Sequence, residues 1–243
     1  MLVKSKVKYI QSLGQKKFRE QEGLFIAEGP KIVKELLEAG TANIKELYAI
    51  KEWIIENEEL LRKTDVIEIT EIELDRISQL TTPNKVVAVI KQFNADAKII
   101  TKDKITLALE TIQDPGNLGT IIRIADWFGI EQVVCSDDCA DVYNPKVVQA
   151  TMGSIARVKI VYINLEEWLA DQDVRIYATT LEGQDITAMK KIQEGIIVVG
   201  NESKGISAEI LKFADTKITI PQKGKAESLN AAVATGIILS HIA

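Results

Sequence analysis

The chain of 243 residues has one histidine, His241, and two cysteines, Cys135 and Cys139. A zinc site or a disulfide framework draws on more Cys and His than this, so no metal and no cross-linked fold are expected. The same shortage argues against a Ser-His-Asp hydrolase, because His241 and Ser228 fall at opposite ends of one C-terminal helical segment. Long apolar runs are missing too. The stretch 195–200 is far too short to cross a bilayer, and the Lys-rich start has no apolar signal segment after it, so a cytoplasmic protein without a membrane partner is expected. Neither common nucleotide signature occurs. Loop 113–119 lacks the G-x-G-x-x-G order of a dinucleotide turn, and neither 200–207 nor 221–228 has the P-loop spacing, which argues against a dehydrogenase and an NTPase. Basic charge is also short, with 30 Lys and Arg against 35 Asp and Glu, a net of −5. A nucleic-acid partner normally leaves a basic footprint, so RNA binding would have to use a local patch. Lys4, Lys6, Lys8, Lys16, Lys17 and Arg19 supply one at the start of the chain, with Lys16, Lys17 and Arg19 as its candidate contacts for any such partner; the alternative is a solvated helix face.

What is present is ordinary for an α/β protein: 46% hydrophobic and 27% charged residues, enough for one large domain or two smaller ones. In the first part, helices are expected over 29–40, 51–62 and 71–80 and strands over 44–50, 66–70 and 86–90. A polar stretch, 94–104, reads as a linker between domains 1–93 and 105–243. The second part alternates strands near 105–109, 132–134, 158–161, 175–178, 196–199 and 217–220 with helices, the pattern of a parallel sheet covered on both faces. Ligands of such sheets sit at the carboxyl ends of strands, and three polar, Gly-containing loops follow three of these strands: 113–119, 200–205 and 221–230. The last is the most telling. Ile218-Thr219-Ile220 is stopped by Pro221, a cationic turn follows, and Ser228-Leu229-Asn230 opens a helix whose Ala231, Ala232, Ala234 and Gly236 allow close backbone approach.

Together these loops closely resemble the three motifs of the SpoU/TrmH family of RNA ribose 2′-O-methyltransferases, in the SPOUT superfamily. The first is LETIQDPGNLGTIIRIADWFGI with Asn117 and Arg123, the second IIVVGNESKGIS with Glu202, the third ITIPQKGKAESLNAAVATG with Ser228 and Asn230. The resemblance extends to Tyr143-Asn144-Pro145-Lys146 and Ala150-Thr151-Met152-Gly153, and GLFIAEGPKIVKELL looks like the family's substrate-binding domain; Gln149 departs, where relatives often carry arginine. It implies a small N-terminal α/β substrate-binding domain of ribosomal-protein-like fold, and a C-terminal parallel-sheet α/β domain with a deep trefoil knot. It also implies S-adenosylmethionine as cofactor, held at Gly200, Ile220 and Leu229, with Arg123, Asn117, Glu202, Ser228 and Asn230 as the catalytic set and no metal required. RNA is the implied partner, ribosomal RNA ahead of transfer RNA, and a non-catalytic RNA-binding or ribosome-assembly protein is the other reading. A homodimer through the C-terminal domain is implied as well, with Ile121, Trp127, Phe128, Ile237 and Ile238 as candidates for burial. A guanidinium keeps its proton, so stabilising a developing alkoxide suits Arg123 better than acting as a base; the alternative is an ion pair with Asp126.

Overall fold

Leu24–Glu28 forms a fully buried strand, β1, which the sequence pattern does not separate from the helix that follows. It pairs antiparallel with Val86–Lys91 (β4), while Ile44–Ala49 (β2) and Val66–Glu68 (β3) pair parallel to each other, giving a four-stranded sheet ordered β1-β4-β2-β3. Helix Pro30–Ala39 behaves as its residues dictate. Pro30 opens it, Ile32, Val33 and Leu36 are buried, and Gly40 ends it in the left-handed region at φ 66°. The helix expected over 51–62 is shorter, Lys51–Glu56, because Asn57 leaves helical geometry and its side chain donates back to the Trp53 carbonyl at 2.8 Å. Helix Glu71–Ile77 starts on a Thr70/Glu73 capping box and stops before 80, where Ser78 turns extended and bonds Glu28.

The computed structural model describes residues 1–93 and 98–243, so part of the expected linker 94–104 lies outside the described residues. Two units result: Met1–Asn94 with Asp141–Ala156, and Ala95–Ala140 with Arg157–Ala243. The segment Asp141–Ala156 is bound into the first unit by specific contacts. Tyr143 stacks its ring 4.9 Å from that of Phe25 and accepts the Phe93 N–H at 2.8 Å, and the Gln149 amide donates to the Glu28 carbonyl at 2.9 Å.

Among the described residues the second unit holds six strands: Ile105–Leu109 (β5), Gln132–Cys135 (β6), Lys159–Tyr162 (β7), Ile176–Asp185 (β8), Gly195–Val199 (β9) and Thr216–Thr219 (β10). They form one sheet ordered β10-β8-β9-β5-β6-β7, every pairing parallel. Ala108, Ile196 and Val198 pack on one side with Leu165, Leu169 and Ile210 of the covering helices. The alternate residues Leu107, Leu109, Ile197 and Val199, equally buried, face the other side, so both faces are covered as the near-continuous apolar runs require. β8 runs longer than expected. Its pairing with β10 jumps from Ala178 opposite Lys217 to Gln184 opposite Ile218, and Gly183 passes so close to the Lys217 carbonyl that a Cβ there would stand 2.6 Å from it. Cys135 and Cys139 are free thiols inside this unit.

Candidate active site

Chain order climbs from β5 to β6 and β7 on one side, and β9 returns beside β5 on the other. Such a reversal opens a crevice at the carboxyl ends of the two strands, where the loops after Leu109 and Val199 lie. The first loop ends in a helix start that its residues specify: Asp114 caps Pro115–Trp127 by accepting the Asn117 N–H at 2.8 Å, with Pro115 at the first position. That cap fixes Asn117, whose side chain then bridges the other two loops. Its amide donates to the Glu202 carboxylate, and its Oδ1 accepts from the Asn230 amide at 2.7 Å. Asn230 in turn caps helix Ala231–Ile242, taking the N–H groups of Ala232 and Val233 at 3.0 and 3.2 Å. Three loops that are far apart in sequence therefore share one hydrogen-bonded line, Glu202–Asn117–Asn230.

Arg123 and Ser228 stand outside that line. Both are exposed, and among the described residues neither side chain has a hydrogen-bond or ionic partner. The ion pair offered as the alternative for Arg123 is taken up elsewhere: Asp126 is gripped by Arg157, at 2.7 Å from its terminal nitrogen and about as closely from Nε. His241 bonds the Ile237 carbonyl at 3.0 Å and the neighbouring Ser240 hydroxyl at 3.2 Å on the last turn of its helix, whereas Ser228 precedes the first turn, so Ser228 and His241 are not paired. Of the three expected cofactor positions, Gly200 and Ile220 are half-buried and Leu229 is exposed. The loop around them suits an adenosine. Among the described residues no backbone N–H from Gln222 to Asn230 finds an acceptor, and Leu229 leaves an apolar side chain open at 45% exposure. Gly200 answers a second demand, since a Cβ there would fall 2.4 Å from the Gly205 carbonyl group.

Arg19 corrects the expectation of a three-residue RNA contact at Lys16, Lys17 and Arg19. It is 2% exposed, and its guanidinium is spent on the Asp141 carboxylate at 2.5 Å and on the carbonyls of Leu13 and Gly14 at 3.0 and 2.7 Å. Such a group is a tie within the first unit and is closed to phosphate. Lys6 is likewise committed, to Glu46 at 2.7 Å. Lys4, Lys8, Lys16 and Lys17 remain exposed. A cavity of about 550 Å³ in the same unit is lined by Glu52, Glu71, Asp75 and Lys85 among mostly apolar residues. Among the described residues no group of three or more His, Cys, Asp or Glu could hold a metal ion.

Sequence reasoning missed the residues that hold the line in place. Asp114 was legible, since an Asp directly before Pro at a helix start is a capping signal. Glu110, Thr111 and Asn201 were not, because their bonds join positions about ninety residues apart.

The chain is similar to known proteins along nearly its whole length. The SpoU rRNA Methylase family matches residues 104–240, and the MRM3-like substrate binding domain matches residues 4–88. The 23S rRNA (guanosine(2553)-2′-O)-methyltransferase RlmP of Bacillus subtilis (strain 168) is 32% identical over 98% of this chain and 95% of its own. The AdoMet-bound rRNA methyltransferase of Sinorhizobium meliloti superposes with a TM-score of 0.86 at 34% identity, covering 99% of this chain and 95% of that one. AviRb of Streptomyces viridochromogenes, a SpoU methyltransferase solved in complex with AdoMet, gives 0.84 at 26% identity over 98% and 97%. With its three loops meeting at Asn117 and more than half its length matched by one family description, the chain belongs to the SpoU rRNA methylase family.

Proposed function

We propose that the protein is a cytoplasmic enzyme that methylates a ribose 2′-hydroxyl of ribosomal RNA with S-adenosylmethionine. The observation that carries this reading is the Glu202–Asn117–Asn230 line with an unpaired, exposed Arg123 on the same helix as Asn117. When bound, S-adenosylmethionine would supply an electrophilic methyl group on a sulfonium centre, its carbon–sulfur bond breaking to a neutral thioether as the bond to the ribose oxygen forms and the hydroxyl proton leaves to water. The chain's own task is alignment and charge. Gly200, Ile220 and Leu229, with the free N–H groups of 222–230, hold and orient the adenosine. Asn117, Glu202 and Asn230 fix the loops around it, Ser228 offers a hydroxyl to the ribose, and Arg123 places a guanidinium where negative charge develops on the 2′-oxygen. The similarity to solved SpoU and rRNA methyltransferase structures supports a deep trefoil knot in the second unit. Labelled-methyl transfer to total RNA separates this reading from a non-catalytic RNA-binding protein: incorporation into ribose is expected, and binding without incorporation would favour the latter.

The site is completed in a homodimer through the second unit. Ile121 and Ile238, two of the expected interface residues, are core at 0% and 2% exposure and Ile237 is half-buried, whereas Trp127 at the end of helix Pro115–Trp127 is 85% exposed and Phe128, which follows it, is 36% exposed. Arg123 and Trp127 stand one turn apart on the same exposed face, so a second copy seated on Trp127 borders the guanidinium. Trp127→Lys should convert the dimer to a monomer in light scattering at micromolar concentration and lower activity with it; a variant that remains dimeric would place the interface elsewhere.

RNA is engaged by exposed cations of the first unit, with Arg123, Lys204, Lys223 and Lys225 exposed in the second. Replacing Lys16 and Lys17 with alanine should weaken RNA binding and flatten the slope of log K against log salt by roughly 0.7–0.9 per lost phosphate contact, with S-adenosylmethionine affinity unchanged. An unchanged slope would mean that these lysines only solvate their helix.

A further inference from the structure

Loop 200–207, which carries Glu202, is fastened at both ends to the dipeptide that follows β5. The Asn201 amide donates to the Thr111 carbonyl at 2.9 Å, and the Ser207 N–H donates to the Glu110 carboxylate at 2.9 Å. Within the loop, Asn201 Oδ1 accepts the N–H groups of Ser203 and Lys204 at 2.9 and 3.1 Å, and its backbone exchanges hydrogen bonds with Gly205. Asn201 is thus the anchor next to which Glu202 stands.

Thr111, the other half of the fastening, has φ 57°, a left-handed conformation that a β-branched residue rarely takes. Such strain persists only where the surroundings over-determine it. Here every polar group of Thr111 is used: its N–H donates to Ser136 Oγ at 2.9 Å, its hydroxyl to Asp138 at 2.8 Å, and its carbonyl accepts from Asn201. Burial pushes the Asp138 carboxyl up, but hydrogen bonds from Ser136 and Thr111 outweigh it and hold the group below the usual range, which keeps it an acceptor. Thr111 lies three residues before Asp114, the cap that aims Asn117, and Asn201 lies one before Glu202. The Thr111–Asn201 and Asn117–Glu202 bonds therefore close one ring through the first two loops.

We propose that Thr111 and Asn201 are positioning residues for methyl transfer: the left-handed turn at Thr111 aims its carbonyl at Asn201, and that bond sets where the Glu202 carboxylate stands beside Asn117. The inference rests on the reading of this site as a methyl-transfer centre. It is tested by kcat at saturating S-adenosylmethionine and RNA, with the thermal midpoint of each variant alongside. Asn201→Ala should lower kcat about tenfold or more in the parent but less than about threefold in a Glu202→Gln background, where no carboxylate is left to place, while its effect on the midpoint is the same in both. Both Thr111→Gly and Thr111→Val lose the Asp138 anchor, but glycine takes the left-handed turn without strain and keeps the carbonyl in place, so Thr111→Gly should stay within about threefold of the parent, whereas Thr111→Val, which keeps the strain with nothing to hold it, should fall further. Equal losses for Asn201→Ala in the two backgrounds, or a Thr111→Gly as impaired as Thr111→Val, would overturn the proposal. A parent protein that transfers no methyl group would overturn the reading of the site, and this inference with it.

Discussion

Arg123→Ala is expected to lower methyl transfer by roughly 10²–10³-fold, the loss typical of removing one group aimed at developing negative charge, while S-adenosylmethionine binds as before. The expectation follows from what Arg123 does not do in the fold. It is exposed, it caps nothing, and Asp126, the nearest acid by helical spacing, is occupied by Arg157. Removing it should therefore leave stability within about 0.5 kcal/mol of the parent, as for a surface position. Calorimetry with S-adenosylmethionine and a turnover assay on the same preparation check both halves. Arg123→Lys should recover little, because an ammonium cannot reproduce the planar fork of a guanidinium. Turnover near the parent rate with normal cofactor affinity would show that Arg123 has another role.

Arg19→Ala should produce the largest change in stability, a loss of about 3–5 kcal/mol, because it leaves the Asp141 carboxylate without its cation, and the buried Leu13 carbonyl and the part-buried Gly14 carbonyl without a donor. The distances make the case: Asp141 at 2.5 Å, Gly14 at 2.7 Å and Leu13 at 3.0 Å, all from a side chain that is 2% exposed. Arg19→Lys should recover only part of it, since one ammonium cannot reach all these acceptors in their fixed directions. Replacing both partners, Arg19→Met with Asp141→Leu, should be less damaging than either single loss, as no buried charge is then stranded. The midpoint of urea unfolding measures each. A midpoint for Arg19→Ala equal to the parent's would mean that the guanidinium is not load-carrying, and the original expectation of an RNA contact would regain its ground.

The contrast between these two arginines shows what the sequence does and does not reveal. Arg123 could be singled out because its loop carries a short, ordered motif, and the structure finds it free. Arg19 sits in a run of cations and looks like one more of them; its partner Asp141 lies 122 residues away and becomes visible only when Asp141–Ala156 is seen within the first unit. The parallel sheet was legible for a simple reason. Strands covered on both faces have to be apolar throughout, and five of the six expected runs both begin and end within one residue of a strand. β8 overran its apolar run because Gln184 and Asp185 resume the pairing with β10, opposite Ile218 and Thr219. Helix ends were misjudged where a side chain acts on the backbone, as Asn57 does on the Trp53 carbonyl. In the site, Asn117, Glu202 and Asn230 were expected individually; their joining through two amide hydrogen bonds, and the strained Thr111 that supports it, belong to three dimensions.

The most direct test of the account is a nucleotide-resolution map of ribose methylation in ribosomal RNA from cells with and without the protein, repeated with Arg123→Ala in its place. The account predicts one 2′-O-methyl group that disappears when the protein is absent, returns with the parent chain and does not return with Arg123→Ala. Ribosomal RNA maps that are identical with and without the protein would contradict it, and a methyl group lost from transfer RNA instead would move the substrate to that class.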